Sequence, residues 1–145
     1  MTHDRSLPTS WTVTIVRDDA DVWAVRKVVR AACDKAGASL ATTEALVTAT
    51  SEITRNIIIH ASYGEVLVGV ADSPWGRSVV VRGCDQGPGI ADTEVALRDG
   101  YSTTGSLGLG LPGARGLADE FELVSELGVG TTVTLWKHVT TERKA

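Results

Sequence analysis

The first regular signal in the chain is an alternation. Residues Trp11 to Val16 read WTVTIV, β-branched and polar positions taking turns, which is the period-two pattern of a half-buried strand. The period then lengthens. Val22, Val25, Val29 and Ala32 recur every three or four positions, with Asp18 or Asp19 available as a cap and Gly37 as a stop, and so predict a helix lying on a sheet. Ser39 is placed to cap a second helix, whose apolar stripe of Leu46, Ala49, Ile53 and Ile57 carries it to about Ala61. Valine-rich runs from Glu65 to Ala71 and from Ser78 to Cys84 predict two strands, antiparallel neighbours joined by the turn Asp72-Ser73-Pro74-Trp75-Gly76.

After Asp85 the pattern changes character. DQGPGI leads into a short helical piece from Asp92 to Arg98 and then into DGYSTTGSLGLGLPG. Gly87, Gly89, Gly100, Gly105, Gly108, Gly110 and Gly113 make this segment hold seven of the 15 glycines. A helix around Ala114 to Asp119 follows, and two strands, Phe121 to Glu126 and Thr131 to Lys137, are joined through Gly128 and Gly130. The order strand, two helices, two strands, glycine-rich segment with helix, two strands predicts a two-layer α/β sandwich. Residues 1–10 are expected to form a flexible arm, 11–138 a single domain and 139–145 a polar tail.

Composition narrows the function classes. At 145 residues, 43% apolar and 22% charged, the chain matches an ordinary globular domain rather than a disordered or fibrous one. A net charge of −4 gives no basic footprint, so nucleic acid is not an expected partner. The start MTHDRSLPTS has no apolar core of a leader, and runs such as Ile57–Ile59 or Val79–Val81 are far too short to span a bilayer, so a cytoplasmic protein without a membrane partner is expected. Cys33 and Cys84 lack metal-ligand or CxxC spacing and read as reduced packing residues.

Four short patterns carry candidate chemistry. Glu52 and Asn56, four apart, share one helix face, with Thr48 and His60 extending the row. A carboxylate and a carboxamide at the core's edge suit a base beside Mg²⁺, whose remaining ligands would be phosphates and water. A solvated helix face is the alternative. Asp85, in DQGPGI, stands at the end of a buried strand, and an acceptor-only carboxylate there suits an exocyclic amine such as adenine's. Gly87 and Gly89 would let backbone approach a flat ligand, or simply make a turn. The run Gly105 to Gly113 opens a helix without Walker A spacing or any lysine, and its N–H groups, with the hydroxyls of Ser102, Thr103 and Thr104, can bind phosphate; a surface loop is the other reading. Gly128-Val129-Gly130-Thr131 serves equally as a hairpin turn.

The four together, in this order, resemble the nucleotide site of the Bergerat-fold ATPases, the superfamily of gyrase, Hsp90 and histidine kinases. SEITRN resembles the N box, DQGPGI the G1 box, GLGLPG the G2 box and GVGTT the G3 box, over residues 50 to 132. The resemblance implies a mixed, mostly antiparallel sheet with helices on one face, and ATP and Mg²⁺ as cofactors. It implies Glu52 as the catalytic base or water-orienting carboxylate, Asn56 as the Mg²⁺ ligand, Asp85 as the adenine contact with Gly87, Gly89 and Ile90 beside it, and Thr131 beneath the base. Residues 101 to 110 would be the lid, with Ser102, Thr103, Thr104, Gly105, Gly108, Leu109 and Gly110 at the phosphates.

Within the superfamily, the short chain and DGYSTTGSLGLGLPGARGLADEF are most similar to the RsbT-type serine/threonine switch kinases of bacterial partner-switching modules. That likeness implies phosphorylation of Ser or Thr in a STAS-domain antagonist and activation of a PP2C-type phosphatase by binding. NIIIHAS, with His60, is also similar to the anti-sigma kinases, so a sigma factor is the other candidate partner, and an anti-sigma factor or another nucleotide-gated binding module the alternative function. Gyrase and Hsp90 relatives need further domains. A histidine kinase needs an acceptor His on an upstream helix, where this chain has only His3 in a polar arm.

Overall fold

The computed structural model describes residues 4–74, 76–90 and 110–139. Strand β1, Thr12–Val16, runs into helix α1, Asp19–Ala36, and helix α2, Leu40–Ala61. The hairpin β2, Gly64–Ser73, and β3, Gly76–Asp85, follows, then α3, Gly110–Leu117, and the hairpin β4, Glu120–Glu126, and β5, Gly130–Val139.

The caps fall where sequence chemistry puts them. Asp18 accepts the N–H of Ala20 at 3.0 Å and Asp21 in turn accepts that of Asp18, a capping box that supplies acceptors to free N–H groups at the start of α1. Gly37, at φ 79°, closes α1 in the left-handed conformation that costs glycine least. Ser39 accepts Thr42 N at 3.1 Å and starts α2.

The sheet order is β1-β2-β3-β5-β4, and all four pairings are antiparallel. The sheet expected to be mixed is therefore wholly antiparallel among the described strands. Helices α1 and α2 cover one face, where Val16, Val66, Val68, Val79, Val81, Val133 and Leu135 meet Val25, Val29, Leu46, Ile53 and Ile57. Two glycines set how closely α2 lies: a β-carbon on Gly83 would stand 2.5 Å from Ile53 Cγ2, and one on Gly64 2.7 Å from Ile57 Cγ2.

Four boundaries differ from expectation. Helix α3 begins at Gly110, because Ala114 is fully buried and Leu111 and Leu117 pack on the core, while Pro112 sits in the first turn, where its missing N–H costs nothing. It stops at Leu117, as Asp119 pairs with β5 through Asp119 N to Trp136 O at 2.9 Å. The β2–β3 turn is only two residues long, since Ser73 pairs with Gly76. Val139 is a buried end of β5 opposite Arg77 rather than part of a polar tail. The expected helix 92–98, Trp75 and residues 140–145 lie outside the described residues.

The other face of the sheet has a smaller cluster of Ala71, Val80 and Trp136 with Trp11 against it. Residues 4–10, expected to be a flexible arm, lie on this face. Trp136 Nε1 donates to Ser6 O at 2.9 Å, Arg5 stacks over the Trp136 ring at 5.6 Å and bonds Glu120 at 2.9 Å, and Pro8 is seated on Gly69. Cys33 and Cys84 are both free, and burial pushes both thiols up from their usual range.

Candidate nucleotide site

Glu52 and Asn56 project from the middle of α2, beside the apolar row that the sheet has captured. Glu52 is largely covered, its side chain 13% exposed. Its Oε2 accepts the N–H of Gly110 at 3.4 Å, at the start of α3, where a carboxylate complements the positive end of the helix. Its Oε1 lies 3.7 Å from the guanidinium of Arg55, one helical turn on. Asn56 keeps a buried Nδ2 with no hydrogen-bond partner among the described residues. A buried amide left unsatisfied costs free energy, so this group calls for an acceptor beyond the described residues.

Asp85 ends β3 directly opposite Thr131 on β5. Its Oδ1 accepts the N–H of Gly87 at 2.9 Å, an Asx-type closure of the loop, and Oδ2 is left without a hydrogen bond to the described residues. The loop glycines are accounted for by the protein itself. A β-carbon on Gly87 would meet Ala61 Cβ at 2.7 Å, and one on Gly89, at φ 77°, would meet Glu126 O at 2.3 Å. The loop is thus pressed between the end of α2 and the β4–β5 turn, where Gly128 N donates to Pro88 O at 2.9 Å.

One residue in this group escaped the sequence reading. Ser125, on β4, accepts Ile90 N at 2.7 Å, donates to Gly130 O at 3.1 Å and lies 2.8 Å from Thr131 Oγ1, so it ties the loop after Asp85 to the start of β5. Its signal was present but weak. Period two places Ser125 on the same side of its strand as Phe121 and Leu123, where a polar residue needs a reason. Arg55, adjacent to Asn56, was also missed; nothing separates it in sequence from any exposed helix charge.

Of the sequence-predicted residues, then, Glu52 and Gly110 are in contact, Asn56 lies on the same helix, and Asp85, Gly87, Gly89, Ile90 and Thr131 form one connected group at the end of the central strands. The end of α2 links the two, through Ala61 against Gly87 and Ile57 against Gly64, where a β-carbon would also lie 3.2 Å from Asp85 Cβ. Ser102, Thr103, Thr104, Gly105, Gly108 and Leu109 lie outside the described residues. A cleft of about 460 Å³ between α1 and the far end of β2, lined by Val28, Ala32, Lys35, Val70 and Arg77 among others, contains none of these groups.

Residues 15–137 match the model of the histidine kinase-like ATPase domain. The chain belongs to that family. As a histidine kinase-like ATPase domain it is 36% identical to the serine/threonine-protein kinase RsbT of Bacillus subtilis over 113 residues, 78% of this chain and 85% of the relative. It is 35% identical to an anti-sigma F factor of Halalkalibacterium halodurans over 100 residues, 64% of this chain and 67% of that one. The fold is shared with the crystal structure of the RsbU and RsbW domains of a Mycobacterium tuberculosis protein, at TM-score 0.65 and 20% identity, over 93% of this chain and 34% of that one. No helix among the described residues is long and apolar enough to cross a membrane.

The family's nucleotide is ATP, and the residues fit it. Asp85 and Thr131 are opposite one another across the β3–β5 pair, and the buried amide of Asn56 stands four residues from Glu52. For Mg²⁺ the fit is of a particular kind. No cluster of three His, Cys, Asp or Glu side chains able to hold a metal exists among the described residues, so a single carboxamide oxygen would share the ion with phosphates and water, as Mg²⁺ accepts.

Proposed function

We propose that this domain is a serine/threonine protein kinase of a bacterial partner-switching module, acting in the cytoplasm. It transfers the γ-phosphate of MgATP to Ser or Thr of a STAS-domain antagonist, and it activates a PP2C-type phosphatase by binding. The observation that carries the reading is the placement of Glu52: a mostly covered carboxylate, held between Arg55 and Gly110 N, one turn from a buried Asn56 Nδ2 that has no partner among the described residues.

In this reading Asp85 accepts the adenine amine, Thr131 supports it, and Asn56 holds Mg²⁺, which would neutralise phosphate charge. Glu52 accepts or orients the proton of the acceptor hydroxyl. The phosphate contacts in this reading are Ser102, Thr103, Thr104 and the N–H groups of Gly105, Gly108, Leu109 and Gly110, all but the last outside the described residues. Phosphoryl transfer asks little covalent chemistry of the protein, so positioning and electrostatics carry the rate.

The similarity to an anti-sigma F factor supports a second reading, a module that silences a sigma factor by nucleotide-gated binding. One experiment separates them. Label from γ-labelled ATP is followed into proteins of the source cells with wild type, Glu52→Ala and Asp85→Asn. The kinase reading expects a labelled Ser or Thr on a STAS protein, a loss of roughly 10²–10⁴ in rate for Glu52→Ala with ATP still bound, and no ATP binding by Asp85→Asn. Full activity of Glu52→Ala would refute it, and absence of transfer by an ATP-loaded wild type would favour the binding module.

A further inference from the structure

Ser125 sits outside every motif that pointed to the nucleotide, yet its hydroxyl is the best-connected polar group beside it. A serine hydroxyl has one proton to give and two lone pairs to receive with. Ile90 N–H occupies one lone pair at 2.7 Å, and Gly130 O, 3.1 Å away, takes the proton. The remaining contact, 2.8 Å to Thr131 Oγ1, must then be donated by Thr131. This is the arrangement in which all three contacts are made at once, since the single Ser125 proton cannot serve both Gly130 O and Thr131 Oγ1.

The consequence reaches the ligand. With its proton committed to Ser125, Thr131 offers the site lone pairs alone. Asp85, its partner across the β3–β5 pair, is a carboxylate with Oδ1 already held by Gly87 N, and it too can only accept. Two acceptors stand side by side. We propose that Ser125 is a positioning residue for nucleotide selection: by pinning Thr131 as an acceptor it makes this edge of the pocket read a 6-amino purine and reject a 6-oxo purine. Were the Thr131 proton free, the hydroxyl would turn and donate to a carbonyl as readily as accept from an amine. The inference rests on the reading of Asp85 and Thr131 as the base contacts.

The test is equilibrium binding of MgATP and MgITP, which differ in the 6-substituent, to wild type, Ser125→Ala, Ser125→Thr, Thr131→Val and the double variant Ser125→Ala/Thr131→Val. Wild type should prefer ATP by at least about a hundredfold, since a site built to pair with one polar group leaves its own groups unpaired with the other. Ser125→Ala should narrow that ratio about tenfold, and Ser125→Thr should restore it. In the Thr131→Val background the Ser125 change should leave the ratio where Thr131→Val put it, because Ser125 acts through the Thr131 hydroxyl. A general loosening of the strand would weaken both nucleotides alike and would not move the ratio. Ser125→Cys, of similar size with a weak hydrogen-bonding group, gives the same reading if the alanine variant does not fold. An unchanged ratio in these variants, or an equal effect of Ser125→Ala with and without the Thr131 hydroxyl, overturns the inference alone. Wild-type affinity for ATP in Asp85→Asn would instead overturn the assignment of the pocket, and this inference with it.

Discussion

Gly130 is the position where a single methyl group should do most damage, for a reason visible in its surroundings. It has φ 146°, outside the range L-residues adopt comfortably, and a β-carbon there would stand 2.1 Å from Asp85 O and 2.9 Å from Gln86 Cα. Those neighbours are backbone, so no side chain can swing aside. The ends of β3 and β5 must part by about 1 Å or more to reach ordinary contact. Backbone strain of about 1–3 kcal/mol and one or two lost ladder hydrogen bonds at about 1 kcal/mol each put the cost of Gly130→Ala at roughly 2–5 kcal/mol. Gly128 is the internal control. It has φ 78° but nothing within 4 Å of its would-be β-carbon, so Gly128→Ala should cost only the left-handed penalty of about 1–2 kcal/mol. Urea unfolding measures both. With a slope of roughly 1–3 kcal/mol per molar, Gly130→Ala should lose about 1 M or more of midpoint, well beyond Gly128→Ala, and it should lose ATP binding as Thr131 is carried away from Asp85. Equal midpoints for the two variants would refute the clash argument.

Other expectations test the remaining parts of the molecule. Gly69→Val, whose first added carbon would lie 2.7 Å from Pro8, should unseat residues 4–10 and raise the rate of tryptic cleavage at Arg5 about tenfold while ATP binding persists. Asp4, whose carboxyl is held below the usual range by hydrogen bonds from Ser73 and Ser6, gives docking of this segment an acid limit: its contribution is complete above the unfolded pKa of about 3.9 and is lost as pH falls through the lower folded value. The Trp136 indole N–H resonance should report that loss, and Asp4→Asn should remove the pH dependence. Asp18→Ala, which deletes the cap of α1, should cost about 1 kcal/mol in thermal or urea unfolding.

Much of this was legible in the chain because the signals were local. Asp18, Gly37 and Ser39 are cap residues whose partners lie within five positions, and the valine runs of β2 and β3 read as strands because alternation needs no distant partner. What failed was non-local. Helix α3 starts four residues early because Ala114, Leu111 and Leu117 find the core, which outweighs two glycines and a proline. Residues 4–10 looked polar and loose, and only the sheet's far face, with Gly69 as a seat and Trp136 as a cover, explains their place. Glu52, Asn56 and Asp85 could be named as candidates from spacing and the order of motifs; Ser125 could not, since its three partners come from Ile90, Gly130 and Thr131 and no short string contains them.

The position of β5 in the sheet has a consequence for synthesis. It follows every other described strand in the chain, yet it lies between β3 and β4. Until it leaves the ribosome, β3 and β4 lack the strand that joins them in the sheet, and both hairpin partners expose an unpaired edge. The pairing of Asp85 with Thr131 therefore cannot form during translation until the last ten described residues, Gly130–Val139, slot into the gap, and in the proposed reading the adenine contacts wait for it. In that reading, a ribosome stalled before that point would carry a chain that cannot hold ATP.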